Sequence, residues 1–109
     1  SFSDKDLEAL GFNSKVEDET LNFPKGILSN FIHIAEIIEK FGPTVGKPYT
    51  APMGKGLFEI RAKGKEGIGR SLFCTVKGKE IVILNSFIKK TQKTPQKEIN
   101  KARKRMLEL

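Results

Sequence analysis

The chain has 109 residues, of which 38% are apolar and 30% are charged, and its formal net charge is +7. This length suits a single domain over residues 1–109 with a modest hydrophobic core. No apolar run is long enough to cross a bilayer and no basic-then-apolar signal begins the chain, so we expect no membrane contact and a cytoplasmic location. The single Cys74 excludes an internal disulfide, and its apolar neighbours indicate a small buried side chain.

The positive charge is concentrated in the later part of the chain. Residues 1–40 contain four Lys and eight acidic residues, whereas residues 41–109 contain sixteen Lys or Arg and five acidic residues. The densest run is FIKKTQKTPQKEINKARKR, residues 87–105, with eight basic residues and one acid. Such a concentration is typical of surfaces that contact phosphates, although a basic helix is also often only a solvated face.

The predicted elements begin with helices. The segment DKDLEAL, residues 4–10, is compatible with a short helix. From Pro24, PKGILSNFIHIAEIIEKFG places apolar residues three or four positions apart until Gly42 and Pro43 stop the pattern. This predicts an amphipathic helix whose stripe needs a sheet or another helix to cover it. The stripe consists of Ile27, Phe31, Ile34, Ile38 and Phe41.

A meander of strands is predicted in the middle of the chain. GPTVGKPYTAPMGKG, residues 42–56, holds four Gly and three Pro and is predicted to be a loop. The strands LFEIRAK, IGRSLFCTVK and EIVILNSFIKK follow, joined by the short turns GKEG and KGKE, which predicts three antiparallel strands. The apolar run from Ile81 to Leu84 indicates that the last strand is covered on both faces, at the centre of the sheet or beneath a helix.

The chain closes with a predicted basic helix in TPQKEINKARKRMLEL. Thr94 is a candidate N-cap, and Pro95 suits the first helical position. An apolar seam is formed by Ile99, Ala102, Met106 and Leu109, and a separate basic face by Lys97, Lys101 and Arg105. We therefore expect a small α+β domain: a twisted antiparallel sheet of three strands, with or without an N-terminal strand, packed by N-terminal helices and followed by a basic C-terminal helix.

Known phosphate-loop and metal motifs do not fit the sequence. GPTVGKP has three residues between its glycines where a P-loop needs four, and Pro48 follows Lys47 in place of Ser or Thr. No set of Cys, His or acidic residues has the spacing of a metal site, and His33 lies inside the amphipathic helix. We therefore expect neither a metal nor a cofactor.

Basic residues on the strands form the candidate site. The two-residue period of LFEIRAK places Glu59 and Arg61 on one face and Phe58 and Ile60 on the other. If the strands pair in chain order, the cations that converge are Arg61, Arg70, Lys89 and Lys90. Two interpretations stay open: a functional cluster, or a structural arrangement in which Arg61 pairs with Glu59 or a cross-strand acid while the lysines protect a strand edge.

A cluster of this kind suits the cleavage of RNA by its own 2′-hydroxyl. This reaction builds negative charge on the phosphate, which fixed Arg and Lys donors stabilise more in the transition state than in the ground state. Arg can hold two phosphate oxygens at once, and Lys can act as a point charge or exchange a proton. Glu59 is the one candidate carboxylate for proton transfer, since the only Tyr, Tyr49, lies in the predicted loop.

The segment GKGLFEIRAKGKEGIGRSLFCTVKGKEIVILNSFIKKTQKTPQKEINKARKRM resembles the RelE/HigB-type toxins of bacterial type II toxin–antitoxin systems, especially their phage-derived branch. The shared features are a (W/F)E(L/I)R strand, here Phe58 to Arg61, an Arg before an apolar run, here Arg70, and F(I/V)KKTQKTP, here Phe87 to Pro95. The resemblance covers roughly residues 24–109, and KKTQKTP is its most specific part. The family's usual first strand is either outside this sequence or replaced by SFSDKDLEALGF.

The resemblance implies a RelE-like fold and a ribosome-dependent endoribonuclease that cleaves mRNA, inhibits translation and is neutralised by a cognate antitoxin, commonly a helix-turn-helix protein. It assigns Arg61 and Arg70 to the scissile phosphate. Our catalytic candidates are Arg61, Arg70, Glu59, Lys89 and Lys90. Our candidates for binding RNA, including that of the ribosome, are Lys93, Lys97, Lys101, Arg103, Lys104 and Arg105.

Two other functions stay open. Some relatives place a Tyr or His near the C terminus for proton transfer, whereas neither follows Tyr49 in this sequence. This departure favours a ParE-like toxin, which acts on DNA gyrase and does not cleave RNA, whereas the presence of Arg61 and Arg70 disfavours it. A basic RNA-binding module without activity would instead show tight, salt-dependent RNA binding and no growth arrest.

Overall fold

A four-stranded antiparallel sheet forms the centre of the protein in a computed structural model that describes residues 16–76 and 80–109. The helices are α1 (Glu17–Leu21), α2 (Lys25–Phe41) and α3 (Gln96–Leu107), with a 3-10 helix at Pro43–Val45. The strands are β1 (Thr50–Gly54), β2 (Leu57–Gly64), β3 (Gly67–Val76) and β4 (Glu80–Ile88), neighbours in that order. The predicted α+β class, the meander and the C-terminal helix are confirmed. The helix predicted over residues 4–10 and the N-terminal strand lie outside the described residues.

Helix α2 covers one face of the sheet with its apolar stripe. Ile27, Phe31, Ile34 and Ile38 are buried, as the spacing predicts, and they pack in one core with strand residues that include Ile60, Phe73 and Ile83. Burying each such side chain contributes about 1.5–3 kcal/mol relative to exposing it.

Phe41 does not belong to this stripe, so that part of the prediction is wrong. The residue is 65% exposed. It is the last residue of α2, which ends where Gly42 takes a φ of +94°, and the ammonium of Lys40 lies 5.6 Å from the centre of its ring. The apolar spacing thus extends to the last residue of the helix, whereas the buried stripe ends at Ile38.

The prediction of a loop over residues 42–56 is wrong in part, because this segment contains β1. Thr50 pairs with Ile60 and Ala51 with Glu59 in an antiparallel ladder. Pro52 is tolerated because β1 lies at an edge of the sheet, where a missing N–H need not remove a ladder hydrogen bond. A segment rich in Gly and Pro, which is the composition of a loop, therefore contains a short edge strand.

Strand β4 lies at the other edge of the sheet, so of its two predicted positions the central one is wrong and the one beneath a helix is correct. The prediction that both of its faces are covered is confirmed. Ile81 and Ile83 join the core beneath α2, whereas Leu84 packs with Leu72 and with Ala102 of α3 on the opposite face. The same second cluster contains Cys74, which is 4% exposed, as predicted, and burial raises the pKa of its thiol.

Glu19 joins α1 to α3 at the outer side of β4. Its carboxylate accepts the Ser86 N–H at 3.3 Å and lies 3.1 Å from both Arg105 Nη1 and Lys101 Nζ. Arg105 also donates to the Leu84 carbonyl at 2.7 Å. Burial raises the pKa of Glu19, but the hydrogen bonds from Arg105 and Lys101 outweigh it and hold the pKa below its ordinary value of 4.5. These contacts fasten the two ends of the described chain to the same strand.

The ends of α3 differ from the prediction. The N-cap is Pro95 and no side chain caps the helix, so the predicted N-cap role of Thr94 is wrong; its hydroxyl bonds to the sheet instead. In the apolar seam Ala102 is fully buried, whereas Leu109 is 55% exposed and lies beyond the end of the helix. Across residues 16–76 and 80–109, no helix is both long and apolar enough to span a membrane.

Candidate functional site

Three cross-strand rows shape the face of the sheet opposite α2. The first row is Glu59, Leu72 and Asn85, the second is Arg61, Arg70 and Phe87, and the third is Lys63, Ile68 and Lys89. Lys89 joins the third row because its N–H donates to the Ile68 carbonyl at 2.8 Å. Helix α3 packs against the first row, where Leu72 contacts Ala102. The second and third rows lie outside this contact and form the candidate site.

A pocket of about 290 Å³ lies over these two rows. Its lining residues are Lys47, Pro48, Arg61, Lys63, Ile68, Arg70 and Lys89, and we call it the cation pocket. Five of these seven residues are cationic and none is acidic. The summed field of such a lining attracts anions, and concave walls of low dielectric focus it.

Arg70 is the buried member of the site. Its side chain is 6% exposed. Nη1 donates to the Thr94 hydroxyl at 2.7 Å and lies 3.6 Å from Glu59 Oε2, while Nη2 donates to the Gln92 carbonyl at 3.0 Å. Its Nε is buried and has no hydrogen-bond partner among the described residues. The guanidinium is therefore fixed in place, with little of it open to solvent.

Arg61 is the accessible member. Its side chain is 38% exposed, and Nε donates to Glu59 Oε1 at 3.1 Å. Within residues 16–76 and 80–109, its two terminal amino groups have no hydrogen-bond partner, so they are available to a ligand. Arg61 pairs with Glu59, as the structural interpretation predicts, and it also lines the cation pocket, so the functional cluster stays a prediction.

Glu59 is fully buried between the two arginines. One carboxylate oxygen accepts from Arg61, and the other accepts from the Thr94 hydroxyl and faces Arg70. A charge can be buried in this way only when it is paired and hydrogen-bonded. Glu59 therefore holds the arginines in position, and its oxygens are already engaged before any ligand arrives.

The remaining predicted residues fall into three groups. Lys90 lies outside the cation pocket, in an adjoining groove. Lys93, Lys97 and Lys104 are exposed; Lys101 is exposed too but forms an ion pair. The residues engaged within the fold are Lys101 and Arg105, bound to Glu19, and Arg103, which donates to the Met53 carbonyl at 3.3 Å and so ties α3 to β1.

Three residues of the site were missed by the sequence analysis: Lys47, Lys63 and Thr94. Lys63 could have been found, because it lies two positions after Arg61 on the same strand face. Lys47 comes from the segment before β1, and only the tertiary fold brings it to the pocket. Thr94 has the sequence position of a helix N-cap. Nothing in the sequence distinguishes a hydroxyl that caps the helix from one that donates to the Glu59 carboxylate.

The protein is thus a small α+β domain with a cationic site on the face of its sheet opposite α2. Residues 18–107 match the family model described as phage derived protein Gp49-like (DUF891), a match that includes every residue of the cation pocket. The chain belongs to this Gp49-like family, which is part of the RelE/ParE-like toxin superfamily. A comparison with curated proteins gives no significant match. The predicted resemblance to phage-derived toxins is thereby confirmed at the level of this superfamily, whereas the RelE/HigB type stays a prediction. The family is consistent with a toxin that has an antitoxin partner.

Proposed function

We propose that this protein is the toxin of a type II toxin–antitoxin system and that it acts in the cytoplasm as a ribosome-dependent endoribonuclease of the RelE/HigB type, which cleaves mRNA and so inhibits translation. The observation that carries the proposal is the cation pocket, where accessible Arg61 lies beside fixed Arg70. Membership of the Gp49-like family supports the toxin role. A cognate antitoxin of the helix-turn-helix type neutralises the toxin.

In this mechanism the cation pocket holds the scissile phosphate. The free amino groups of Arg61 bind its oxygens, and Arg70 supplies fixed positive charge beside them. The 2′-oxygen forms a bond to phosphorus while the bond to the 5′-oxygen breaks; the 2′-hydroxyl loses its proton and the leaving 5′-oxygen gains one. Charge that develops on the other phosphate oxygens is stabilised by cations that need no rearrangement.

Proton transfer is assigned to the pocket lysines and not to Glu59. Glu59 is a positioning residue here, because both of its oxygens are buried and engaged. Lys63 and Lys89 line the pocket on the side away from α3; the ammonium group of one of them gives a proton to the leaving 5′-oxygen, and solvent water takes the proton that the 2′-hydroxyl loses. Lys90 binds the strand next to the cleaved phosphate.

The exposed lysines Lys93, Lys97 and Lys104 serve to dock the toxin on ribosomal RNA. They lie on and just before α3, and the structure leaves them in solvent. Contacts between lysines and phosphates release counterions, which gives affinity without reading a sequence. Lys101, Arg103 and Arg105 take a smaller part, since their side chains already bind within the fold.

A toxin that does not cleave RNA is the second candidate. The observation that favours it is the lining of the cation pocket, which holds no His, no Tyr and no free carboxylate among the described residues. A ParE-like toxin would use the same cations to bind an acidic group of DNA gyrase.

Induced expression in bacteria that lack the antitoxin tests the proposal. Wild type, Arg61→Ala and the control Lys40→Ala, which removes an equal charge from α2, are compared by mapping the 5′ ends of mRNA. New ends within translated regions, in phase with codons, are expected for wild type and the control and are lost in Arg61→Ala. Growth arrest with intact mRNA would favour gyrase as the target. Neither arrest nor new ends would favour a binding module without activity.

A further inference from the structure

A second depression adjoins the cation pocket where β3 begins and β4 ends. It has a volume of about 460 Å³ and is lined by Gly67, Ile68, Lys89, Lys90, Thr91 and Gln92. We call it the side groove. Ile68 and Lys89 line both depressions, so the two form one continuous surface with a shared wall.

The side groove combines positive charge with an apolar surface. Lys89 and Lys90 supply the charge, and the half-buried Ile68 supplies an apolar patch. No acidic residue lines the groove. The acid of the neighbouring turn, Glu66, accepts the Gly26 N–H at 2.9 Å at the start of α2, and this hydrogen bond lowers its pKa. Its negative charge is thus held against the helix on the other face of the sheet.

Backbone contacts fix the groove relative to the cation pocket. The Lys89 N–H donates to the Ile68 carbonyl at 2.8 Å, which sets the distance between its two walls. The Gln92 carbonyl accepts a hydrogen bond from Arg70 at 3.0 Å, so the part of the groove that Gln92 forms is bound directly to the buried arginine of the pocket. Because the groove is held in one arrangement before binding, few of its groups lose conformational freedom when a ligand binds, and this increases affinity.

We propose that the side groove binds the nucleotide next to the phosphate held in the cation pocket. Its base rests on Ile68, its own phosphate meets Lys90, and the amide of Gln92 contacts the edge of the base. The volume lies within the range of small-molecule sites. Single-stranded RNA suits two joined sites of this kind, because its unstacked bases can rest on side chains while cations hold the backbone. The inference rests on the proposed function, since it requires an RNA strand in the cation pocket.

The test measures binding to the full chain of two DNA probes, which lack the 2′-hydroxyl and so cannot be cleaved. One probe is a nucleoside monophosphate, which needs only the cation pocket, and the other is a tetranucleotide, which reaches the groove. Lys90→Ala and Gln92→Ala, whose side chains line the groove alone, should each weaken tetranucleotide binding about five- to tenfold, through the loss of a phosphate contact and of a hydrogen bond, and leave the monophosphate unchanged. Lys40→Ala, with the same loss of charge as Lys90→Ala, should change neither.

The outcomes separate this inference from the proposal on which it rests. Loss of tetranucleotide affinity in Lys90→Ala and Gln92→Ala, with the monophosphate unaffected, supports the groove. Equal effects of each variant on both probes, or none on either, would overturn it. Arg61→Ala should weaken both probes; if it weakens neither, the cation pocket is not the phosphate site and the proposed function itself is wrong. Thermal unfolding of each variant verifies that it is folded.

Discussion

Arg61 and Arg70 are direct cross-strand partners in β2 and β3, yet 38% of one side chain is exposed and only 6% of the other. Like charges placed opposite each other in a sheet repel. Glu59 offsets this repulsion, because its buried carboxylate lies 3.1 Å from Arg61 Nε and 3.6 Å from Arg70 Nη1. The pair thus offers one guanidinium to a ligand and keeps the other fixed.

This asymmetry predicts different effects on stability for the two arginines. Arg70→Ala should lower the free energy of unfolding by about 3 kcal/mol, because it removes a buried partner of Glu59 and the bonds to Thr94 and Gln92. Arg61→Ala should cost at most about 1 kcal/mol, since its ion pair is partly exposed. Urea titrations of both variants provide the comparison. Equal losses would contradict the division between a fixed and an accessible arginine.

The positioning role of Glu59 can be separated from a role as general base. Glu59→Gln keeps the size of the side chain but removes the charge between the arginines. We expect slower cleavage of mRNA on ribosomes, with a pH–rate profile of unchanged shape, because no proton passes through this residue. If Glu59 were the base, the acidic limb of the profile would disappear in the variant. The measurement is the cleavage rate across the pH range.

Acid should weaken the junction at Glu19. The pKa of Glu19 is below 4.5 in the folded protein, because the hydrogen bonds from Arg105 and Lys101 outweigh the effect of burial. The carboxylate therefore stabilises the fold above about pH 4.5, and this contribution is lost as the pH falls through the lowered pKa.

Glu19→Gln should accordingly lower stability by about 1 kcal/mol at neutral pH and show a smaller further loss below pH 4.5. Glu36→Gln, on an exposed position of α2, is the matched control for the loss of one carboxylate. Denaturant titrations at neutral and acidic pH measure the difference. An identical acid dependence of wild type and Glu19→Gln would show that other groups dominate it.

The sequence predicts most of the sheet but not its first strand. Strands β2 and β3 carry local signals, namely alternation and a two-residue turn between Gly64 and Gly67. Strand β1 has none, since Pro52 and Gly54 are signals of a loop and its extended form is set by pairing with β2. Central or edge position could not be predicted either, because an apolar run in β4 reports burial and not the number of neighbouring strands.

The site shows the same limit at the level of side chains. The two-residue period placed Arg61 beside Glu59 on the open face, and the structure confirms this arrangement. The burial of Arg70 depends on Gln92 and Thr94, which are 22 and 24 positions away in the chain. Contacts of this separation leave no periodic signal, so the sequence does not distinguish the buried arginine from the accessible one.

The contacts of Glu19 and Arg105 also determine how the protein meets other chains. A strand from a second molecule would extend the sheet by pairing with the outward groups of β4, such as the Ser86 N–H and the Leu84 carbonyl. Both groups are already bound to charged side chains. Edge-to-edge aggregation at β4 would first have to break these bonds, and so the residues that hold the helices together also oppose the addition of a further strand at this edge of the sheet.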